Sequence, residues 1–189
     1  MLAHNVFRTS LDERAKVTIA ESIGYALKSG QGRPVWFLGG LLTWKVVSLN
    51  TRSQYEMVEQ RGAHGFGAPI HLHERETEAF DILRGDMTIV LDSKKISASD
   101  GDFLFVPSGA EHAFVVDSKE ATFLTIIAPP GLESFFDELG EPAKALKLPP
   151  KSVGIPSLEQ LEAAARKYGQ KILGPPPSPR PLYMKERPH

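Results

Sequence analysis

Two histidines set two residues apart, His71 and His73, constrain this chain more than any other feature. On a strand that spacing places both imidazoles on one face, a few ångströms apart. On a helix they would diverge by about 200°. Pro69 and the glycine-rich loop Arg61 to Gly67 before the pair favour extended backbone. Glu78 follows five residues later, after a turn over Glu74 to Thr77, and can face the same interior from the next strand. His112 arrives from a later strand, behind the corner Pro107-Ser108-Gly109. Together these four make a three-histidine, one-carboxylate set. Such an N/O set suits one divalent transition metal per chain (Ni, Co, Mn, Fe, Cu or Zn), and the ligands do not choose among them. Four protein ligands on a six-coordinate ion leave two positions for chemistry.

The surrounding texture is β. Short β-branched and aromatic runs recur at Val35–Leu38, Leu41–Leu49, Ser53–Gln60, Pro69–His73, Glu78–Leu83, Met87–Leu91, Lys95–Ala98, Phe103–Val106, Glu111–Val116 and Thr122–Ala128. Turn residues punctuate them, as in an all-β sandwich or barrel. Gly39-Gly40 reads as a hairpin turn or as a bulge in one longer strand. On Ser53–Gln60 the alternation is mixed: Tyr55, Met57 and Glu59 share one face, Glu56 and Val58 the other, and which is buried stays open. Glu74 and Glu76 read as solvent-facing charges.

The pattern changes at Pro129-Pro130-Gly131. Leu132, Phe135, Phe136 and Leu139 make one helical face, closed by Gly140. Ser157 is an N-cap opening a second helix, with Glu159 just inside and apolar Leu158, Leu161, Ala164 and Ala165, to about Tyr168. Gly174 to Pro181 holds five prolines and reads as an extended or disordered tail. Ser10-Leu11-Asp12-Glu13 has the form of a capping box, against which the β-branched Val17-Thr18-Ile19 argues.

A chain of 189 residues is long enough to bury a core without staples. Lys+Arg 22 against Asp+Glu 23 provides no electrostatic case for nucleic acid or an anionic membrane. No cysteine is present, which excludes thiolate ligands, a thiol nucleophile and disulfides. With no apolar stretch near the roughly 20 residues of a membrane span and no secretory apolar run at Met1–Ser10, the expected compartment is the cytoplasm.

Gly65-x5-His71-x-His73-x4-Glu78-x6-Gly85 resembles the first cupin motif at every defined position. Gly101-x5-Pro107-x-Gly109-x2-His112 resembles the second, with Val116 where the motif ends in Asn. The resemblance implies a cupin jelly-roll β-barrel, all-β with a few C-terminal helices. It also implies His71, His73, Glu78 and His112 as ligands. The expected division is an N-terminal arm (1–31), the barrel (32–128), a helical segment packed on it (129–173) and a Pro-rich tail (174–189).

From about Gly32 to Leu148 the chain is similar to the single-cupin bacterial quercetinases, which are flavonol dioxygenases. The likeness rests on Trp36-Phe37-Leu38-Gly39-Gly40-Leu41-Leu42-Thr43, on the spacing between the two motifs, and on Pro130-Gly131-Leu132-Glu133-x-Phe135-Phe136-x-x-Leu139-Gly140. It implies a small aromatic substrate, dioxygen, and Glu78 as both ligand and catalytic base, taking the 3-hydroxyl proton before the ring opens with loss of carbon monoxide. It further implies a homodimer. His112, Phe114 and Val116 share parity, as do Glu78, Phe80 and Ile82. Phe80, Phe114, Val116, Tyr55 and Met57 are therefore the expected substrate-binding residues, against the alternative that each is barrel core. A Lewis-acid isomerase, cyclase or decarboxylase and a non-catalytic small-molecule-binding cupin stay open.

Overall fold

The computed structural model describes residues 24–182, so the Ser10–Glu13 capping box lies outside the described residues. The strands are β1 (Arg33–Phe37), β2 (Gly40–Val46), β3 (Glu56–Ala63), β4 (Gly67–His73), β5 (Thr77–Arg84), β6 (Met87–Leu91), β7 (Lys94–Ala98), β8 (Phe103–Val106), β9 (His112–Val116), β10 (Glu120–Ala128), β11 (Glu141–Pro142) and β12 (Gln170–Gly174). The helices are α1 (Glu133–Leu139) and α2 (Leu158–Lys167).

Two antiparallel sheets face each other. One runs β11-β1-β2-β3-β10-β5-β8 and the other β12-β4-β9-β6-β7. Period-two alternation explains the core between them. On β5, Glu78, Phe80 and Ile82 point inward; on β10, Ala121, Phe123, Thr125 and Ile127 do. The rings of Phe66, Phe80, Phe114 and Phe123 meet at centroid separations of 5.1 to 6.1 Å, edge-to-face or tilted rather than stacked face to face.

β1 and β2 form a hairpin, in register from Arg33↔Trp44 to Phe37↔Gly40. Its turn carries Leu38 at φ 49° and Gly39 at φ 86°. Positive φ is ordinary for glycine and strained for leucine. Gly85, at φ 96°, turns β5 into β6 against the Glu120 carbonyl, which a Cβ would meet at 2.6 Å.

β3 resolves the mixed alternation: Glu56, Val58 and Gln60 are buried, while Met57 and Glu59 are only half-buried. Two polar side chains can face inward because each is satisfied. Glu56 accepts from the Leu132 and Glu133 N–H groups at 3.1 and 3.2 Å, capping the open start of α1. Gln60 donates to Thr125 Oγ1 at 2.9 Å. Helix α1 then lays Phe135 and Phe136 against Phe37, at 5.7 and 5.0 Å. Helix α2 opens with Ser157 and Gln160 in a reciprocal capping box.

The 129–173 stretch holds strands as well as helices. After Gly169 the chain adds β12 to the edge of β4, pairing Gln170 with His73 and Ile172 with His71. The described part of the proline-rich tail is extended and docked. Arg180 donates its backbone N–H and its Nε–H to the buried Asp117 carboxylate, at 2.6 and 2.8 Å.

Candidate metal centre

The site lies between the sheets. His71 and His73 extend from β4 and His112 from β9, in register opposite His71, while Glu78 reaches across from β5. All four are buried, His112 to 2% and His73 to 3% exposure. His71 Nε2 lies 3.2 Å from His73 Nε2. His112 Nε2 lies 3.0 Å from Glu78 Oε2, and His73 Nε2 lies 3.6 Å from the same oxygen. One ligand atom from each residue falls within 4.8 Å of all the others. Ligands about 2.1 Å from one ion stand roughly 3 to 4.2 Å apart, so this donor set fits a divalent transition metal.

Backbone carbonyls hold two of the imidazoles in place. His71 Nδ1 lies 2.8 Å from the Pro69 carbonyl oxygen and His112 Nδ1 lies 3.0 Å from that of Ala110. A carbonyl only accepts, so each Nδ1 carries a proton; His71 Nε2 then presents its lone pair to the centre, and His112 Nε2 would do so once the proton it shares with Glu78 has left.

The electrostatics agree with the geometry. Burial, then the neighbouring imidazoles of His112 and His73, push the His71 pKa down to about 3, so it is neutral at ordinary pH. Burial alone would raise Glu78, but His73 and His112 hold its carboxyl well below the usual 4.5. Burial opposes a proton on His112 too; the hydrogen bond and charge of Glu78 outweigh it and raise His112 above 6.5. Without a metal, His112 and Glu78 form a buried ion pair.

An apolar cavity opens onto His71, His73 and Glu78. Of the expected substrate-binding residues, Phe80 and Phe114 line it. Tyr55, Met57 and Val116 do not. Tyr55 is on the surface just before β3 and Met57 on its outward-facing side, because Glu56 and Gln60 take the inward positions. Val116 is fully buried in the core at the far end of β9, paired with Met87. Glu76 is another correction. It is 1% exposed, its Oε1 accepts from Arg75 Nη2 at 2.9 Å, and the bare Cα of Gly131 leaves it room. Glu74 is the exposed partner of Lys171.

Sequence reasoning missed other wall residues: Leu38, Gln60, Phe66, Leu161, Gln170 and Ile172. Leu38 comes from the strained hairpin turn, and Gln170 and Ile172 from β12. The alternation of Gln170 and Ile172 after Gly169 was the available signal for that strand.

Residues 58–127 match the family model described as Cupin domain. The barrel is a cupin. The Bacillus subtilis (strain 168) protein named quercetin 2,3-dioxygenase is 34% identical to this cupin over 123 residues, covering 64% of this chain. The match covers 36% of that relative's own length. A predicted oxalate decarboxylase from Thermotoga maritima aligns over 56% of this chain and 99% of its own, with TM-score 0.52 and 20% identity. KdgF from Halomonas sp. aligns over 48% of this chain and 79% of its own, with TM-score 0.45 and 19% identity. At 20% identity the Thermotoga maritima structure speaks to the fold alone.

Proposed function

We propose that this cupin is a metal-dependent dioxygenase that cleaves a flavonol or a related enolisable aromatic. The observation that carries the reading is the placement of the buried His71–His73–Glu78–His112 cluster against an apolar, aromatic-walled cavity. Apolar walls with a few convergent polar groups favour a flat aromatic ligand over a sugar phosphate. The sequence likeness to a quercetin dioxygenase points the same way.

His71, His73, Glu78 and His112 would hold the ion. Bound there, a divalent metal would lower the pKa of a hydroxyl presented to it. Glu78 is the base in reach of that proton. Its Oε2 stands 3.0 Å from His112 Nε2 and 3.6 Å from His73 Nε2, which puts the carboxylate at the centre where that proton would be presented. Phe80 and Phe114 exclude water and hold the ring system flat. The electrons for dioxygen come from the deprotonated substrate, so no external reductant is needed. The homodimer implied by family resemblance belongs to this proposal.

The test is turnover of quercetin by protein supplied with Ni, Co, Mn or Fe. Oxygen uptake matched by carbon monoxide release supports the reading. Conversion of an enolisable substrate with neither gas change would assign the site to Lewis-acid isomerase, cyclase or decarboxylase chemistry instead.

A further inference from the structure

We infer that Gln170 is a second ligand-binding point in this cavity, donating a hydrogen bond to an oxygen beside the one bound at the metal. The inference rests on the dioxygenase reading and narrows its substrate to flat, apolar molecules with two neighbouring oxygens on one edge, such as an α-hydroxyketone.

Three observations meet on this residue. Gln170 stands directly opposite His73 in the β12–β4 register, and paired residues of antiparallel strands send their side chains to the same face, with Cβ atoms about 5 Å apart. Its side chain is therefore beside a ligand imidazole. Gln170 lines the cavity and is 5% exposed. Its Nε2 is buried and has no hydrogen-bond partner.

A buried, unused amide donor is costly, and native folds rarely keep one without a reason. The second amide on the cavity wall shows the contrast: Gln60 spends its Nε2 on Thr125 Oγ1. The unpartnered atoms of Trp44, Asn50 and Glu76 belong to residues outside the wall, and His73 Nδ1 belongs to a ligand. Among the described residues, Gln170 Nε2 is thus the non-ligand wall nitrogen left without any partner, on a wall that is mostly apolar. A ligand oxygen held there would fix the ring's orientation about its metal-bound oxygen, which determines which ring carbon faces dioxygen.

The experiment compares wild type with Gln170→Met, which keeps length and removes the donor. Both proteins are loaded with Co(II) and titrated without oxygen, using 3-hydroxyflavone, with adjacent hydroxyl and ketone, and 2-naphthol, with one oxygen. The expected result is a Kd for 3-hydroxyflavone weakened by about tenfold, with 2-naphthol within about twofold. Metal content should be unchanged, and the ligand-free Tm should not fall, because an unsatisfied donor has gone. Equal weakening of both ligands, no weakening of either, or loss of metal or Tm in the variant would make Gln170 a structural residue and overturn the inference. Binding of neither ligand by metal-loaded wild type would overturn the dioxygenase reading itself.

Discussion

Metal uptake by this cupin should expel a proton from His112. In the metal-free site His112 shares its Nε2 proton with Glu78 Oε2 at 3.0 Å, and that contact raises its pKa above 6.5. A metal needs the same Nε2 lone pair, so the proton must leave. His71, pushed down to about 3, and Glu78, held below 4.5, contribute none near neutrality. The sign follows from linkage. A raised folded-state pKa means the ion pair stabilises the metal-free protein most fully below about pH 6.5, and the contribution is lost as pH rises through the raised value. Acid therefore favours the metal-free form, and the His112 proton weakens apparent metal affinity by up to tenfold per pH unit, about 1.4 kcal/mol, below that value. Calorimetric titration with Co(II) in two buffers of different ionisation heat counts the protons. In Glu78→Gln only the Ala110 carbonyl and the Asp92 charge still oppose the burial of His112, so the count near pH 6.5 should fall by up to one. Affinity independent of pH between 6.5 and 8, or a count unchanged in Glu78→Gln, would refute the reasoning.

Other consequences are as direct. Glu78→Gln should abolish quercetin turnover while retaining part of the metal; unchanged activity, measured by oxygen uptake, would remove Glu78 from the mechanism. Glu56→Ala strips the cap from α1 and should cost about 1–3 kcal/mol in urea unfolding, since two N–H groups, the buried one of Leu132 and the part-buried one of Glu133, lose their acceptor. Val116→Asn restores the residue of the family motif but buries an amide in a fully enclosed apolar position. It should destabilise by about 1–3 kcal/mol without gain in ligand affinity, as read by thermal melts and titration. Leu38→Asn relieves the positive φ at the hairpin turn and places a polar group on the cavity wall; Tm should hold or rise while 3-hydroxyflavone affinity falls.

The His71–His73–Glu78–His112 cluster was legible in the sequence because it obeys local rules. His71 and His73 follow the two-residue period of a strand, and the glycines at 65, 85, 101 and 109 all take positive φ at turns. What was not legible depends on distant partners. Glu56 and Gln60 face inward only because α1 and Thr125 satisfy them, and this inverted the reading of Tyr55 and Met57. Glu76 is buried because Gly131, more than fifty residues on, has no side chain. β12 joins β4 across almost a hundred residues, so Gln170 entered the site unannounced.

Metal content tests most directly whether the His71–His73–Glu78–His112 cluster is a metal centre. Protein offered Ni, Co, Mn and Fe and then dialysed should carry one equivalent per chain by mass spectrometry, with sharp loss in His71→Ala and His112→Ala. A chain that stays metal-free under every one of these conditions would contradict it.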